Sequence, residues 1–141
     1  MVRSGQEKKS NMSAEVALIA GVGPGLGSAL ARRFAQAGMS VAVAARDSGK
    51  LAPLVEELTE FENEAHAYSC DVANEASVKI LFDRVHKDLG IPRLVVYNVG
   101  AFVRKGILET SAEEFERCWK AGCMGGFLVG RAAAQMMLSQ P

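Results

Sequence analysis

The sequence predicts a doubly wound parallel α/β fold, and three observations carry that prediction. Short apolar segments alternate with helical patterns from residue 16 onward. The first apolar segment runs into a glycine-rich turn, Ala20 to Gly27 (AGVGPGLG), which opens directly into a helical pattern. At 141 residues the chain has the length of one domain able to bury a sizeable core. Alternating β and α at this spacing implies right-handed crossovers and a parallel sheet covered on both faces. With the glycine turn on the first strand, the expected strand order is 3-2-1-4, half of a doubly wound domain.

Each element has its own signal. Val16 to Ala20 (VALIA) is short and apolar, as a buried parallel strand should be. After the turn, Leu26, Ala29, Leu30, Arg33, Phe34 and Ala37 carry helical spacing, and Gly38 closes that helix. Ser40 to Ala45 (SVAVAA) is the second strand. The loop Asp47-Ser48-Gly49 leads to a helix from about Lys50 to Phe61, which requires Pro53 within its first turn. His66 to Cys70 (HAYSC) is the third strand. Asn74 caps a helix with Val78, Leu81, Phe82, Val85 and Leu89 on one face, ended by Gly90. Leu94 to Asn98 (LVVYN) is the fourth strand.

A long helix follows. Ser111 and Glu114 form a capping box at its start, with Phe115 and Trp119 one turn apart. From Ala121 to Gly130 it is apolar all round and is expected to be covered on more than one side. Gly122, Gly126 and Gly130 recur every four residues and would let another backbone approach closely. Each costs about 1 kcal/mol of helix propensity against alanine, which contacts must offset. Arg131 and Gln135 interrupt the apolar run and argue against a membrane span.

Composition narrows the class. Hydrophobic residues make up 49%, and 16 basic side chains balance 16 acidic ones. That balance argues against a nucleic-acid partner or a polybasic membrane surface. Cys70, Cys118 and Cys123 form no C-x-x-C, and with no secretory signal pattern reduced thiols in the cytoplasm are expected. His66 and His86 gather no ligands around them, so no metal site is predicted. Met1 to Ser13 is polar and reads as a disordered leader to a single domain over 14–141.

A strand, a glycine turn and a helix N-terminus together make an anion site, because glycines let a pyrophosphate approach the outward N–H groups. Gly21, Gly25 and Gly27 match the G-x-x-x-G-x-G turn of the short-chain dehydrogenase/reductase family, with Ala20 where Thr is usual. Gly21, Gly23 and Gly25 also allow a G-x-G-x-G reading that resembles S-adenosylmethionine methyltransferases. That reading needs a carboxylate near the end of the second strand, where Ala45 and Arg46 stand instead. Asp71-Val72 resembles the family pair that meets the adenine. Asn98-Val99-Gly100 resembles the last three residues of the family's N-N-A-G signature, with Tyr97 and Val99 replacing an Asn and an Ala. An Asp or Asn at such places also caps turns. The resemblance runs from Val16 to the C-terminus and implies a Rossmann-like dinucleotide fold.

The cofactor-binding residues it assigns are Gly21, Gly23, Pro24, Gly25, Leu26, Gly27, Ala45, Arg46, Asp71, Val72, Asn98, Val99 and Gly100. A carboxylate at the end of the second strand would bind an NAD ribose and repel a 2′-phosphate. Ala45 removes that repulsion and Arg46 offers a planar cation, which favours NADP over NAD. A solvated arginine is the plainer reading, and Asp47 beside it would partly offset the charge.

No catalytic residue is assigned. Family members carry a catalytic Ser and a Tyr-x-x-x-Lys pair on later elements. Here Tyr68 has Val72 four residues on, and Tyr97 has Ala101. The Asn that many members place in the long helix aligns with Gly122. The resemblance therefore implies the NADP(H)-binding portion of an oxidoreductase, inactive alone. A complete noncatalytic nucleotide-binding or assembly module is the second reading, and a methyltransferase-like enzyme the third. In the family the long helix also packs on a second subunit. A homo-oligomer through that helix, or through the edge of the fourth strand, is expected.

Overall fold

β1 (Val16–Ala20) is the centre of the sheet, and all five of its residues are buried. The computed structural model of the protein describes residues 14–140, so the leader read in 1–13 lies outside the described residues. β2 (Ser40–Ala45) pairs parallel with β1, Val16 opposite Ser40 and Ala20 opposite Ala44. β3 (Ala65–Ser69) pairs parallel with β2, and β4 (Pro92–Tyr97) pairs parallel with the other side of β1. The sheet order is β3-β2-β1-β4, as the sequence predicts.

Alternation along the strands feeds two cores. On one face Leu18, Ala20, Ala42 and Ala44 pack with Tyr68, Leu81, Phe82, Val85 and Val129. On the other, Ile19, Val41 and Val43 pack with Ala31, Ala35, Leu54 and Leu58. Burying one Val, Leu or Ile contributes about 1.5–3 kcal/mol, so a strand buried on both faces dominates this fold.

α1 (Leu26–Gln36) and α2 (Ala52–Thr59) cover the second face. A bidentate pair from Arg32 to Glu57, at 2.6 and 2.9 Å, joins these helices at their rim. The helix read as Lys50 to Phe61 is instead a 3-10 turn, Ser48–Leu51, followed by α2. Asp47 starts the tighter turn by accepting from the Gly49 N–H at 3.1 Å, and Pro53 then falls in the first turn of α2.

α3 (Glu75–Asp88) covers the first face, with the Asn74 side chain accepting from Ser77 N–H at 2.9 Å. β3 starts and ends one residue earlier than the sequence reading. Cys70 N–H still reaches the Ala45 carbonyl at 2.9 Å beyond it. β4 begins at Pro92, two residues earlier than expected, where a proline can open a strand without a ladder hydrogen bond.

The long helix departs most from its prediction. It is three pieces: α4 (Ala112–Trp119), a π turn at Lys120–Met124, and α5 (Gly125–Leu138). The capping box is present, with Ser111 and Glu114 exchanging both hydrogen bonds. α4 buries none of its residues. α5 buries only Gly125, Leu128, Val129 and Ala133, and Phe127 stays 57% exposed. The expected cover on further sides is absent among the described residues. Gly122 and Gly130 face open space rather than a second backbone, and the close approach falls at Gly125.

Candidate functional site

The glycine turn is tied to the sheet by its own backbone. Gly21 and Val22 both donate to the Ala44 carbonyl, at 2.9 and 3.1 Å, which pins the turn to the end of β2. Asn98 N–H continues the ladder to the Ala20 carbonyl at 2.8 Å, and the Asn98 side-chain amide donates to the Gly21 carbonyl at 3.0 Å. Gly21 has φ of +95°, and a Cβ there would lie 2.5 Å from the Asn98 carbonyl oxygen. Both the conformation and the space therefore exclude a side chain. A Cβ on Gly27 would lie 2.7 Å from the Gly21 carbonyl, so this glycine lets α1 press against the turn.

Gly23 and Gly25 differ. Nothing in the protein lies within 4 Å of a Cβ at either position, so what they keep clear is the space outside the turn. The N-terminus of α1 has neither a side-chain cap nor an acidic residue in its first turn. Its N–H groups and the positive end of its dipole remain available to an anion. The buried Ser28 hydroxyl donates back to the Gly23 carbonyl and holds the loop beneath that opening.

The turn forms one wall of a cleft of about 970 Å³ at the carboxyl ends of the strands. Gly21, Gly23, Gly25, Leu26 and Gly27 line it from the turn, Ala45 and Arg46 from β2. Asp71 and Val72 line it after β3, and Asn98, Val99 and Gly100 after β4. Pro24 sits on the exposed outside of the turn and does not line the cleft. The cradle therefore fits a dinucleotide: a bare backbone at an uncapped helix start, between two strand ends.

The neighbours of Arg46 are few. Asp47 is turned away into its own 3-10 turn, accepting from Gly49 and facing Lys50 at 3.8 Å. Arg46 makes no salt bridge among the described residues; only its carbonyl is engaged, by the Ser69 hydroxyl at 2.8 Å. Arg46 is an exposed residue of the cleft lining. Asp71 and Asn98, by contrast, do the structural work that their residue types allow. One Asp71 oxygen accepts from Ala73 N–H at 3.0 Å and shapes the turn after β3. Asn98 clamps the glycine turn.

The sequence reading missed the opposite wall. Glu113, Glu116, Arg117 and Lys120 line the cleft from α4 and the π turn, with Phe102 from the loop before them. Their helical spacing was a signal that these charges share one face. Lys120 pairs with Glu116 at 2.9 Å, and Glu114 beside them pairs with Lys105. Tyr97 is the other omission. Its hydroxyl donates to the Ala121 carbonyl inside the π turn, and burial raises its pKa. Cys70 also lines the cleft, and burial pushes its thiol up as well, away from a reactive thiolate.

The sequence profile of the short chain dehydrogenases matches residues 15–141. The chain belongs to the short-chain dehydrogenase family. It is 32% identical over 128 residues to a short-chain dehydrogenase/reductase of Armillaria gallica, covering 89% of this chain and 49% of that one. It is 33% identical over 130 residues to the NADPH-dependent pterin aldehyde reductase of Arabidopsis thaliana, covering 92% and 53%. Its fold superposes on a short-chain type dehydrogenase/reductase from Mycobacterium marinum with a TM-score of 0.87 at 34% identity, covering 91% and 52%. The chain spans about half the length of the curated relatives it matches. Family membership displaces the methyltransferase alternative. Among the described residues no three His, Cys, Asp or Glu side chains cluster to hold a metal, and no helix is long and apolar enough to cross a membrane.

Proposed function

We propose that the chain is the NADP(H)-binding portion of a short-chain oxidoreductase, and that these residues alone do not catalyse. The observation that carries the cofactor choice is Arg46, exposed at the cleft beside the small Ala45, with Asp47 turned away. A bound nicotinamide dinucleotide would supply hydride chemistry. The chain's own residues would orient it: the glycine turn and the start of α1 would hold the pyrophosphate, and Val72 would meet the adenine. Arg46 would hold the 2′-phosphate. A hydrogen bond to a charged group contributes about 1.5–3 kcal/mol, or one to two decades of affinity. The NADPH dependence of the plant relative, 33% identical, agrees with this choice.

Calorimetric titration with NADP⁺ and NAD⁺ tests the reading. NADP⁺ is expected to bind tighter, and the pair Ala45→Asp with Arg46→Ala to reverse the order. Equal affinities in the starting protein would sink the cofactor choice. Neither Tyr68 nor Tyr97 has a lysine four residues on, and both phenols are raised by burial. No NADPH-dependent carbonyl reduction above background is therefore expected, and turnover lost on substituting either tyrosine would overturn that. The second reading, a noncatalytic binding or assembly module, shares the cleft and rests on the exposed apolar surface. Phe115, Trp119 and Phe127 are 67%, 43% and 57% exposed, and β4 is a sheet edge. Self-association through either surface belongs to both readings.

A further inference from the structure

We propose that Tyr97 is a positioning residue of the nucleotide cleft, fixing the helical wall of that cleft against the end of β4. The inference rests on the cofactor reading above. Tyr97 is the last residue of β4, immediately before Asn98, which clamps the glycine turn. Its hydroxyl leaves the strand and donates to the Ala121 carbonyl, within the π turn at Lys120–Met124. A π turn lengthens the backbone hydrogen-bond step and upsets the regular pairing of helix carbonyls. A side-chain donor at that point gives the Ala121 carbonyl a partner and gives the turn a fixed place.

The glycines beneath the ring show how closely the parts are matched. A Cβ on Gly125 would collide with the Tyr97 hydroxyl oxygen, and would also lie 3.0 Å from Val72 Cγ2 and 3.3 Å from the Lys120 carbonyl. A Cβ on Gly126 would rest 3.6 Å from the Tyr97 ring. The ring is therefore seated on bare backbone. Its hydroxyl meets the turn that carries Lys120 and Ala121, and both of these line the cleft opposite the glycine turn. Val72, which also lines the cleft, closes on the same spot at Gly125. One phenol thus links the end of β4 to the π turn. Burial raises this phenol, so it stays a donor through the neutral range.

The test is calorimetric titration of the full 141-residue chain with NADP⁺, beside thermal melts and amide exchange of residues 120–125. Tyr97→Phe removes only the hydroxyl. It is expected to weaken binding about fivefold with an unchanged melt, and to speed exchange in the π turn but not in the glycine turn. Gly125→Ala is expected to weaken binding about tenfold or more, because the collision moves the wall. Adding Tyr97→Phe to Gly125→Ala removes the colliding oxygen and is expected to restore part of that loss. A Tyr97→Phe protein that binds as tightly as the parent overturns this inference and leaves the cofactor reading standing. So do losses that simply add in the double variant. A parent that binds neither NADP⁺ nor NAD⁺ overturns both.

Discussion

The glycine turn and the α4 wall face each other across one cleft and are held in opposite ways. The turn hangs on the most buried strand and the strand beside it, through Gly21 and Val22 to Ala44 and through Asn98 to Ala20 and Gly21. α4 buries no residue and is held by its capping box, the Lys105–Glu114 contact at 2.5 Å and the π turn that follows. Damage to the turn should therefore spread through the whole domain. Damage to α4 should stay in α4. That contrast gives an ordered series of tests.

Gly21→Ala should have the largest effect. The substitution forces an L side chain to φ of +95° and sets its Cβ against the Asn98 carbonyl and Val99. Backbone strain of about 1–3 kcal/mol adds to overpacking of about 1–3 kcal/mol. A loss of about 4 kcal/mol, read by urea unfolding, is a large part of a small domain's stability. A loss below about 1 kcal/mol would mean that the turn adjusts locally, and the contrast would fail.

The proposed self-association comes next, and the exposed side would carry it. Phe115→Ser with Trp119→Ser removes two exposed aromatic side chains, so monomer stability should move by less than about 0.5 kcal/mol per site. If α4 and α5 form the contact, light scattering at micromolar concentration should show association weakened tenfold or more. Association that survives points to the β4 edge. Unfolding that tracks the loss of association would show that the helices are stable only when paired.

Much of this contrast was legible in the sequence, for reasons that differ between the two sides. The turn was readable because its requirements are local: Gly21 must take a positive φ, Gly27 must admit a backbone, and each leaves a glycine at fixed spacing. Strand order followed from β-α alternation with the glycine turn placed on the first strand. The start of α4 was readable because Ser111 and Glu114 lie three residues apart. The break at Lys120–Met124 was not, because Lys120 to Met124 contains no proline and the side chain that bonds into the π turn, Tyr97, lies more than twenty residues earlier. The charged wall was missed for the same reason. Helical spacing put Glu113, Glu116, Arg117 and Lys120 on one face, but only the tertiary fold turned that face to the cleft.

Two caps of the same kind sharpen the comparison at about 1 kcal/mol. Asn74 starts α3, whose Val78, Leu81, Phe82 and Val85 are buried, so Asn74→Ala should lower global stability by about 1 kcal/mol. Ser111 starts α4, which carries no buried residue, so Ser111→Ala should fray that helix and leave the main unfolding transition in place. Denaturation followed by circular dichroism, with backbone NMR to locate fraying, separates the two. Equal global losses would show that α4 unfolds with the core.

The smallest effect is a local response to acid, and its sign follows from the Glu114 carboxyl. The hydrogen bond from Lys105 lowers its pKa below the ordinary 4.5, and the Ser111 backbone N–H lowers it further. Glu113 is lowered too, first by its own backbone N–H and then by Ser111. A carboxyl depressed in the folded state binds its proton later than in the frayed state. Its contribution is therefore complete above the ordinary carboxylate range and fades as pH falls through the lowered value. Glu57 is lowered by Arg32 in the same way, so a global melt would mix the two sites. The Cα chemical shifts of Ala112 to Trp119 isolate α4, and they should move toward coil as pH falls below 4.5. Glu114→Gln should remove most of that movement, and high salt should reduce the part that comes from the exposed Lys105 contact. Shifts that stay helical to the acid limit would show that the π turn and Tyr97, rather than the capping box, hold α4 in place.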